Sequence, residues 1–379
     1  MVGLNKSINF FALISCPNAL LFVNVPPTDY YFLNMLHNRI NGEELKERLR
    51  TSEEQRTTLS FYRYIRLENP VDFRDELYRA WHELGLLGRI YVAPEGINAQ
   101  VSVPNSQLEK FKNHLQSTSQ LQNLRLNVAI DDDGKSFFKL KIQVKNKIVA
   151  DGIDDPTFNA SDRGQHLNAA QFNALTDEPD TILVDMRNHY ESEVGHFENA
   201  VLPDAVTFRE ELAVVEKMLE NQTDKKIVMY CTGGIRCEKA SAYMKHKGFK
   251  NVFQLDGGII EYARQVKAEG LKNKFRGKNF VFDERLGERI SDEIIARCHQ
   301  CGNPSDTHRN CANDACNLLF IQCDACAAKY ESCCSEKCKN FINLPEDKQK
   351  LLQKNEIFNG IKFGKGRYKA PQSRENNLV

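Results

Sequence analysis

Nine of the twelve cysteines in this 379-residue chain fall between Cys298 and Cys338. That segment is short of aliphatic residues, so apolar burial alone could hardly hold it folded. The pairs Cys298-x2-Cys301 and Cys323-x2-Cys326 have the spacing at which thiolates bind zinc tetrahedrally, and metal binding would supply the missing folding energy. These four form the preferred set. Cys311, Cys316, Cys333, Cys334 and Cys338 offer a second site, with His299 and His308 as spare ligands. Redox-active thiols are the competing use. Clustered thiols in a long chain point to a reducing, cytoplasmic compartment and away from a disulfide scaffold.

A chain of this length exceeds one ordinary core and predicts two or three domains. Its 51 basic and 51 acidic residues cancel, so any polyanion must meet a local patch. No run approaches the roughly 20 apolar residues of a membrane span. Leu13-Ile14-Ser15-Cys16 resembles a lipoprotein cleavage box, but the apolar stretch before it is very short. Export would also carry the thiol cluster into an oxidising space. Residues 1–34 are read as an extension outside the core, with Met35 as an alternative start.

The remainder divides into three blocks. Residues 35–155 run strand, helix, two strands around Pro94-Glu95-Gly96, helix, and a closing strand in FFKLKIQVKNKIV. That βαββαβ order predicts a ferredoxin-like α/β domain. Residues 168–272 alternate short apolar strands with helices, which predicts a parallel sheet covered on both faces. Residues 273–340 carry the cysteines and form the third, metal-binding unit, and 341–379 read as a flexible basic tail. The fold class is multidomain α/β.

In the second block the strand KKIVMY runs into CTGGIRC. Ligands of parallel sheets sit beyond the carboxyl ends of strands, where Cys231 falls. Gly233 and Gly234 let successive N–H groups of Thr232, Gly233, Gly234 and Ile235 point into one concavity, and a helix expected from about Glu238 aims its positive end there. The Cys231 thiol should ionise readily in that setting, with Arg236 adding positive charge. Cys231 to Arg236 is C-x4-R, one residue shorter than the C-x5-R of cysteine-dependent phosphatases. The smaller ring suits a single added sulfur atom. Cys237 either resolves an oxidised Cys231 or merely packs against the sheet.

Upstream, VDMRNHYESEVGHFENAVLP supplies Asp185, Arg187, Glu191 and His196. With CTGGIR and DGGIIEY this stretch resembles the rhodanese family, which implies that Cys231 forms a persulfide and that the four upstream residues support its loop. His189, Glu191 and His196 could also frame a two-histidine, one-carboxylate iron site, against the preferred reading as turn supports. Over a longer span, GRIYVAPEGINAQVSVP, DDDGKSFFKLKIQVKNKIVADGIDDP, YCTGGIRCEKASAYMKHKGF and LLFIQCDACAAKY are similar to the bacterial rhodanese-domain tRNA uridine hydroxylases. That resemblance implies oxygen-dependent conversion of the wobble uridine of tRNA to 5-hydroxyuridine, with molecular oxygen as co-substrate and Cys231 as the essential thiol. No flavin or nicotinamide motif is visible. The alternative is a plain sulfurtransferase. A zinc-dependent RNA-binding protein without activity would leave the intact loop unexplained.

For a tRNA partner, Lys139, Lys141, Lys145 and Lys147 fall on alternate positions of the closing strand and should share a face for phosphate contacts. Lys272, Lys274, Arg276 and Lys278 alternate similarly. Tyr62, Tyr64 and Tyr91 offer rings on which an unstacked base can lie, or belong to the core.

Overall fold

The structure is a computed structural model that describes residues 36, 38, 40–353, 356–360 and 366–369. The extension with its Leu13–Cys16 box, Met35 and much of the tail lie outside these residues. Helix α1 (Gly42–Thr51), capped by the Asn41 side chain, leads into the first unit.

Burial alternates along the strands of that unit and decides how its sheet is used. Strands β1 (Arg56–Tyr64) and β2 (Leu87–Ala93) flank β3 (Gly96–Pro104), both antiparallel to it. Leu59, Phe61, Ile90, Val92, Ile97 and Ala99 pack on one face against α2 (Pro70–Glu83) and α3 (Leu108–Ser117). The Trp81 and Phe111 rings there lie 5.7 Å apart. Asn69 caps α2 by accepting from the Asp72 N–H, and Pro70 occupies its first turn. The opposite face carries Ser60, Tyr62, Arg89, Tyr91, Asn98 and Gln100 and turns toward the second unit.

The fourth strand of the βαββαβ order is not the lysine-rich segment expected to close the unit. It is β4 (Asn127–Val128), two residues antiparallel to β1. The lysine-rich segment forms β5 (Leu140–Val144), parallel to β2 at the other edge. Alternating Leu140 and Ile142 mark a half-buried strand, but alternation carries no information about which edge the strand joins.

The second unit is the expected parallel sheet. Its strands are β6 (Gln165–Leu167), β7 (Thr181–Asp185), β9 (Lys226–Tyr230) and β10 (Asn251–Leu255), in the order β6-β10-β9-β7. Between β7 and β9 lie α5 (His189–Ser192), β8 (Gly195–Phe197) and α6 (Phe208–Leu219). Strand β9 is covered on both sides. Ile227, Met229 and Cys231 face α6 and α7 (Ile235–His246), while Val228 and Tyr230 face α4 (Ala169–Thr176) and α8 (Gly258–Glu269).

β8 pairs with β11 (Phe275–Asn279), and β11 pairs with β12 (Glu288–Arg289), which ties the third unit to the second. The third unit continues with the hairpin β13 (His308–Asn310) and β14 (Leu319–Ile321), then α9 (Asp324–Tyr330), α10 (Glu336–Ile342) and α11 (Glu346–Leu352). Five of the seven buried residues in one of its clusters are cysteines. The basic row leading into β11 is not a free stripe. Lys274 is buried and paired with Asp177 at 2.7 Å, and Arg276 pairs with Glu198 and Glu293 at 2.7 Å each. Among the described residues no helix is long and apolar enough to cross a membrane.

Candidate active site

Strand β9 delivers Cys231 to its carboxyl end, and two glycine pairs, Gly233-Gly234 and Gly257-Gly258, shape the turn beyond it. Gly234 adopts φ +97°, and its N–H donates to Cys231 Sγ at 3.2 Å. Helix α7 begins at Ile235, a turn earlier than the spacing suggested, so the N–H groups of Arg236 and Cys237 also reach the sulfur. The start of α8 closes the loop from behind. Ile259 and Ile260 donate to the carbonyls of Cys231 and Thr232 at 3.0 and 3.2 Å. A Cβ on Gly258, at φ +67°, would lie 2.5 Å from the Cys231 oxygen.

Burial pushes the Cys231 thiol up. A hydrogen bond from the Cys237 thiol, the Arg236 charge and the N–H groups of residues 237 and 236 outweigh it and bring the thiol down to about 6. At pH 7 roughly nine in ten such sulfurs are thiolate. Cys237 moves the other way, well above the ordinary thiol range, through burial and its neighbour Cys231. The pair therefore offers one nucleophile and one proton donor.

Arg236 differs from expectation in one respect. Its guanidinium forms a two-pronged bond to Glu191, at 2.7 and 2.9 Å, and touches Thr232 Oγ1 at 3.4 Å. Glu191 is fully buried, so the positive charge expected at the loop arrives already paired. Asp185 and Arg187 form a buried pair at 2.7 Å that does not touch the loop directly. Asp185 accepts from the Tyr230 hydroxyl at 2.7 Å and so steadies the residue before Cys231. His196 Nδ1 sits 2.8 Å from the Ser192 carbonyl and His189 Nδ1 sits 3.1 Å from that of Ala205. With Glu191 committed to Arg236, the iron triad is not assembled.

Glu211 is a site residue that the motifs do not contain. Both its carboxyl oxygens are buried without hydrogen bonds, and burial holds the group well above the usual carboxylate range beside Arg236, Asp185, Glu191 and Cys231. A signal for it exists in the sequence, since Glu211 interrupts the apolar stripe of Phe208, Leu212 and Val215 on α6.

In front of the loop lies a cavity of about 410 Å³. Its floor is the open face of the first sheet, its roof the Cys231–Arg236 loop, and one wall holds Phe282 and Arg285 of the third unit. The units meet around it through paired groups. The Tyr62 and Tyr64 hydroxyls donate to Glu238 Oε1 at 2.9 Å and to the Ile235 carbonyl at 3.3 Å. Arg125 grips Asp256 at 2.5 and 2.6 Å, and Arg89 donates to the Phe282 carbonyl at 3.1 Å. Tyr62 and Tyr64 thus act as interface anchors, and Tyr91 lines the cavity with Tyr62.

Lys139, Lys141 and Lys145 gather with Arg89 at the β5 end of the floor. Lys141 is held below the usual lysine range by partial burial and then by those three cations. Lys147 does not belong to the row. Its ammonium instead bonds Asp151 at 2.6 Å and the Ile153 carbonyl at 2.7 Å.

The cysteine block resolves into two quartets. Cys298, Cys301, Cys323 and Cys326 form one, and Cys311, Cys316, Cys334 and Cys338 the other, each with all four sulfurs within 4.8 Å of one another. Either quartet could hold a metal ion. Cys333, counted as a ligand candidate, stands outside both, and so do His299 and His308. His299 Nε2 is instead 2.7 Å from Glu193.

A parallel sheet whose central strand ends in a thiol cradled by a glycine turn and a helix start defines a rhodanese-type unit, here joined to an acylphosphatase-like one. The family of the Rhodanese-like domain matches residues 168–265, that of the UPF0176 acylphosphatase like domain residues 56–148, and that of the Rhodanase C-terminal domain residues 276–339. A tRNA uridine(34) hydroxylase of Pectobacterium carotovorum subsp. carotovorum is 59 % identical over 330 residues, covering 87 % of this chain and 93 % of the relative. Another, from Photorhabdus laumondii subsp. laumondii, is 57 % identical over 337 residues, with 88 % and 96 % covered. The chain belongs to the tRNA uridine(34) hydroxylase family.

Proposed function

We propose that this chain is a tRNA-modifying oxidoreductase that converts uridine 34 to 5-hydroxyuridine with molecular oxygen, using Cys231 as its reactive thiol. The observation that carries this reading is the placement of a readily ionised Cys231 at the roof of a cavity large enough for a nucleoside. Small-molecule sites span roughly 300–1,000 Å³. A sulfur atom in transit needs far less room, which favours hydroxylation over plain sulfur transfer.

The chemistry derives from the polarity of uracil. The Cys231 thiolate adds to carbon 6, and carbon 5 becomes an enolate-like nucleophile that bonds dioxygen as a hydroperoxide. Loss of the carbon 5 proton and cleavage of the S–C6 bond restore the uracil ring, now 5-hydroperoxy, and free the thiolate. Cys231 then attacks the outer peroxide oxygen, which leaves 5-hydroxyuridine and a Cys231 sulfenic acid. The Cys237 thiol displaces that hydroxyl as water and closes a disulfide. The two sulfurs thus supply both electrons, Cys237 one proton and solvent the other, and cellular thiols later reopen the bridge. Arg236, fixed by Glu191, stays beside the sulfur throughout, and the loop N–H groups hold its charge.

The two quartets fit zinc. A tetrahedral ion with Zn–S bonds of about 2.3 Å needs sulfurs roughly 3.8 Å apart. Cys301–Cys323, Cys316–Cys334 and Cys334–Cys338 are separated by 3.6, 3.7 and 3.7 Å. Zinc here would be structural and would take no part in the reaction. Reduced thiols in such numbers suit a cytoplasmic enzyme, where tRNA is at hand.

The test is nucleoside mass spectrometry of tRNA from a deletion strain complemented with the wild type, Cys231→Ser or Cys237→Ser. Restoration of 5-hydroxyuridine by the wild type and not by Cys231→Ser is expected. Restoration by Cys231→Ser would end this reading, and full activity of Cys237→Ser would remove Cys237 from the electron balance.

A further inference from the structure

A cavity that takes uridine must also recognise the base, and the recognition inferred here rests on that proposed function. One row of cross-strand neighbours runs along the cavity floor. Asn127 of β4 faces Ser60 of β1, Ser60 faces Gln100 of β3, Gln100 faces Arg89 of β2, and Arg89 faces Lys141 of β5. Paired residues share a face of a sheet. Asn127 therefore ends the row under the Cys231 loop, and the two cations end it at the far edge.

Asn127 is only 3 % exposed although it lines the cavity. Its Nδ2 makes one long hydrogen bond, 3.5 Å, to the Gly233 carbonyl. Its Oδ1 is buried with no partner. A buried acceptor left without a donor is costly in a finished protein interior, and beside a ligand cavity it marks where a ligand donor belongs.

We propose that Asn127 reads the pairing edge of the target uracil, with Oδ1 accepting from N3–H and the second Nδ2 hydrogen donating to O4. The Gly233 carbonyl can only accept, so it fixes which way the amide points. A flipped amide would set two acceptors against each other. Cytosine presents an acceptor at N3 and an amino donor at carbon 4, the reverse order, and meets like against like. Arg89 and Lys141, at the other end of the row, take a phosphate adjoining the base. Asn127 is thus a specificity residue, and the rhodanese-type loop sets its orientation.

The experiment uses the full chain and anticodon stem-loop RNAs with uridine, 3-methyluridine or cytidine at the wobble position. Dissociation constants come from fluorescence anisotropy and hydroxylation rates from nucleoside mass spectrometry. The wild type should lose roughly tenfold or more in affinity on 3-methyluridine, which lacks the N3 donor. Asn127→Asp, a near-isostere, puts an oxygen where Nδ2 faces the carbon 4 substituent, so it repels uracil O4 and accepts from the cytosine amino group. It should narrow the uridine-over-cytidine ratio by roughly tenfold. Unchanged discrimination in Asn127→Asp and Asn127→Ala, or equal binding of uridine and 3-methyluridine RNA, overturns the proposal. Where a variant fails to fold by circular dichroism, the 3-methyluridine comparison on the wild type decides alone. Selective uridine binding without any hydroxylation would sink the proposed reaction and leave the base reading standing.

Discussion

The Tyr62 hydroxyl on β1 donates to Glu238 Oε1 on α7 at 2.9 Å, across 176 positions of chain. The same carboxylate takes Arg163 at 2.6 Å and His166 at 3.0 Å. Burial pushes Glu238 up, but His166 and Arg163 outweigh it and bring it down to about 2. A carboxyl depressed from 4.5 to about 2 stabilises the folded chain by about 3 kcal/mol above pH 4.5, and that term fades as pH falls toward 2. Urea titrations across this window should show the loss in the wild type and a flatter profile in Glu238→Gln. Tyr62→Phe should cost about 1.5–3 kcal/mol above pH 5, as loss of a bond to a charged group does.

The Cys231 thiol should titrate near 6, so iodoacetamide labelling and kcat/KM should both fall as pH drops below that value. Cys237→Ala removes the largest influence holding the thiol down. The labelling midpoint should move upward in that variant. A midpoint at the free-cysteine value in the wild type would remove the basis of the mechanism.

Glu191→Ala leaves the Arg236 guanidinium nearly buried, with its side chain 11 % exposed and its two-pronged partner gone. Breaking a buried pair this way costs about 3–5 kcal/mol, read as a lower Tm. Arg236 also loses its neutralising partner beside Cys231. The alkylation midpoint of the variant should therefore fall below that of the wild type.

Two metal ions per chain are expected by elemental analysis, one for each quartet. Cys301→Ser should lose one and Cys338→Ser the other, while Cys333→Ser keeps both. Strong chelators should unfold the third unit first, because metal binding supplies much of its folding energy.

On the RNA side, Lys141→Glu and Lys145→Glu should weaken tRNA binding and flatten its dependence on salt. Lys147→Glu should leave affinity intact and lower stability instead, since it sets two carboxylates together where Asp151 now has a cation. Equal RNA defects in all three would show that the β5 row is not the phosphate contact.

Much of this architecture is legible in the sequence because local patterns force it. A strand such as KIVMY that is apolar on both faces must be central, and two glycines after its cysteine can only serve a tight turn. The two C-x2-C pairs make Cys298, Cys301, Cys323 and Cys326 the preferred set, but spacing does not say which four thiols share an ion, and the fold brings these four together. What the chain order conceals is pairing at a distance. Nothing near β5 tells that it lies beside β2, and nothing near Arg236 tells that Glu191 claims its charge. Asn127 gives no local sign because its hydrogen-bond partner Gly233 lies 106 positions along the chain. Glu211 is visible as a break in a helical stripe, but the consequence of that break depends on which charges the fold brings beside it.

A chamber whose floor, roof and side belong to three successive stretches of polypeptide cannot be inherited piecemeal. Cut free, the middle stretch keeps its reactive sulfur but has no bench on which to lay a nucleoside. The first stretch alone keeps the bench but lacks the carbonyl that orients Asn127. A substitution at Arg125 or Tyr64, which hold the seams to Asp256 and the Ile235 carbonyl, should therefore weaken the enzyme from a distance.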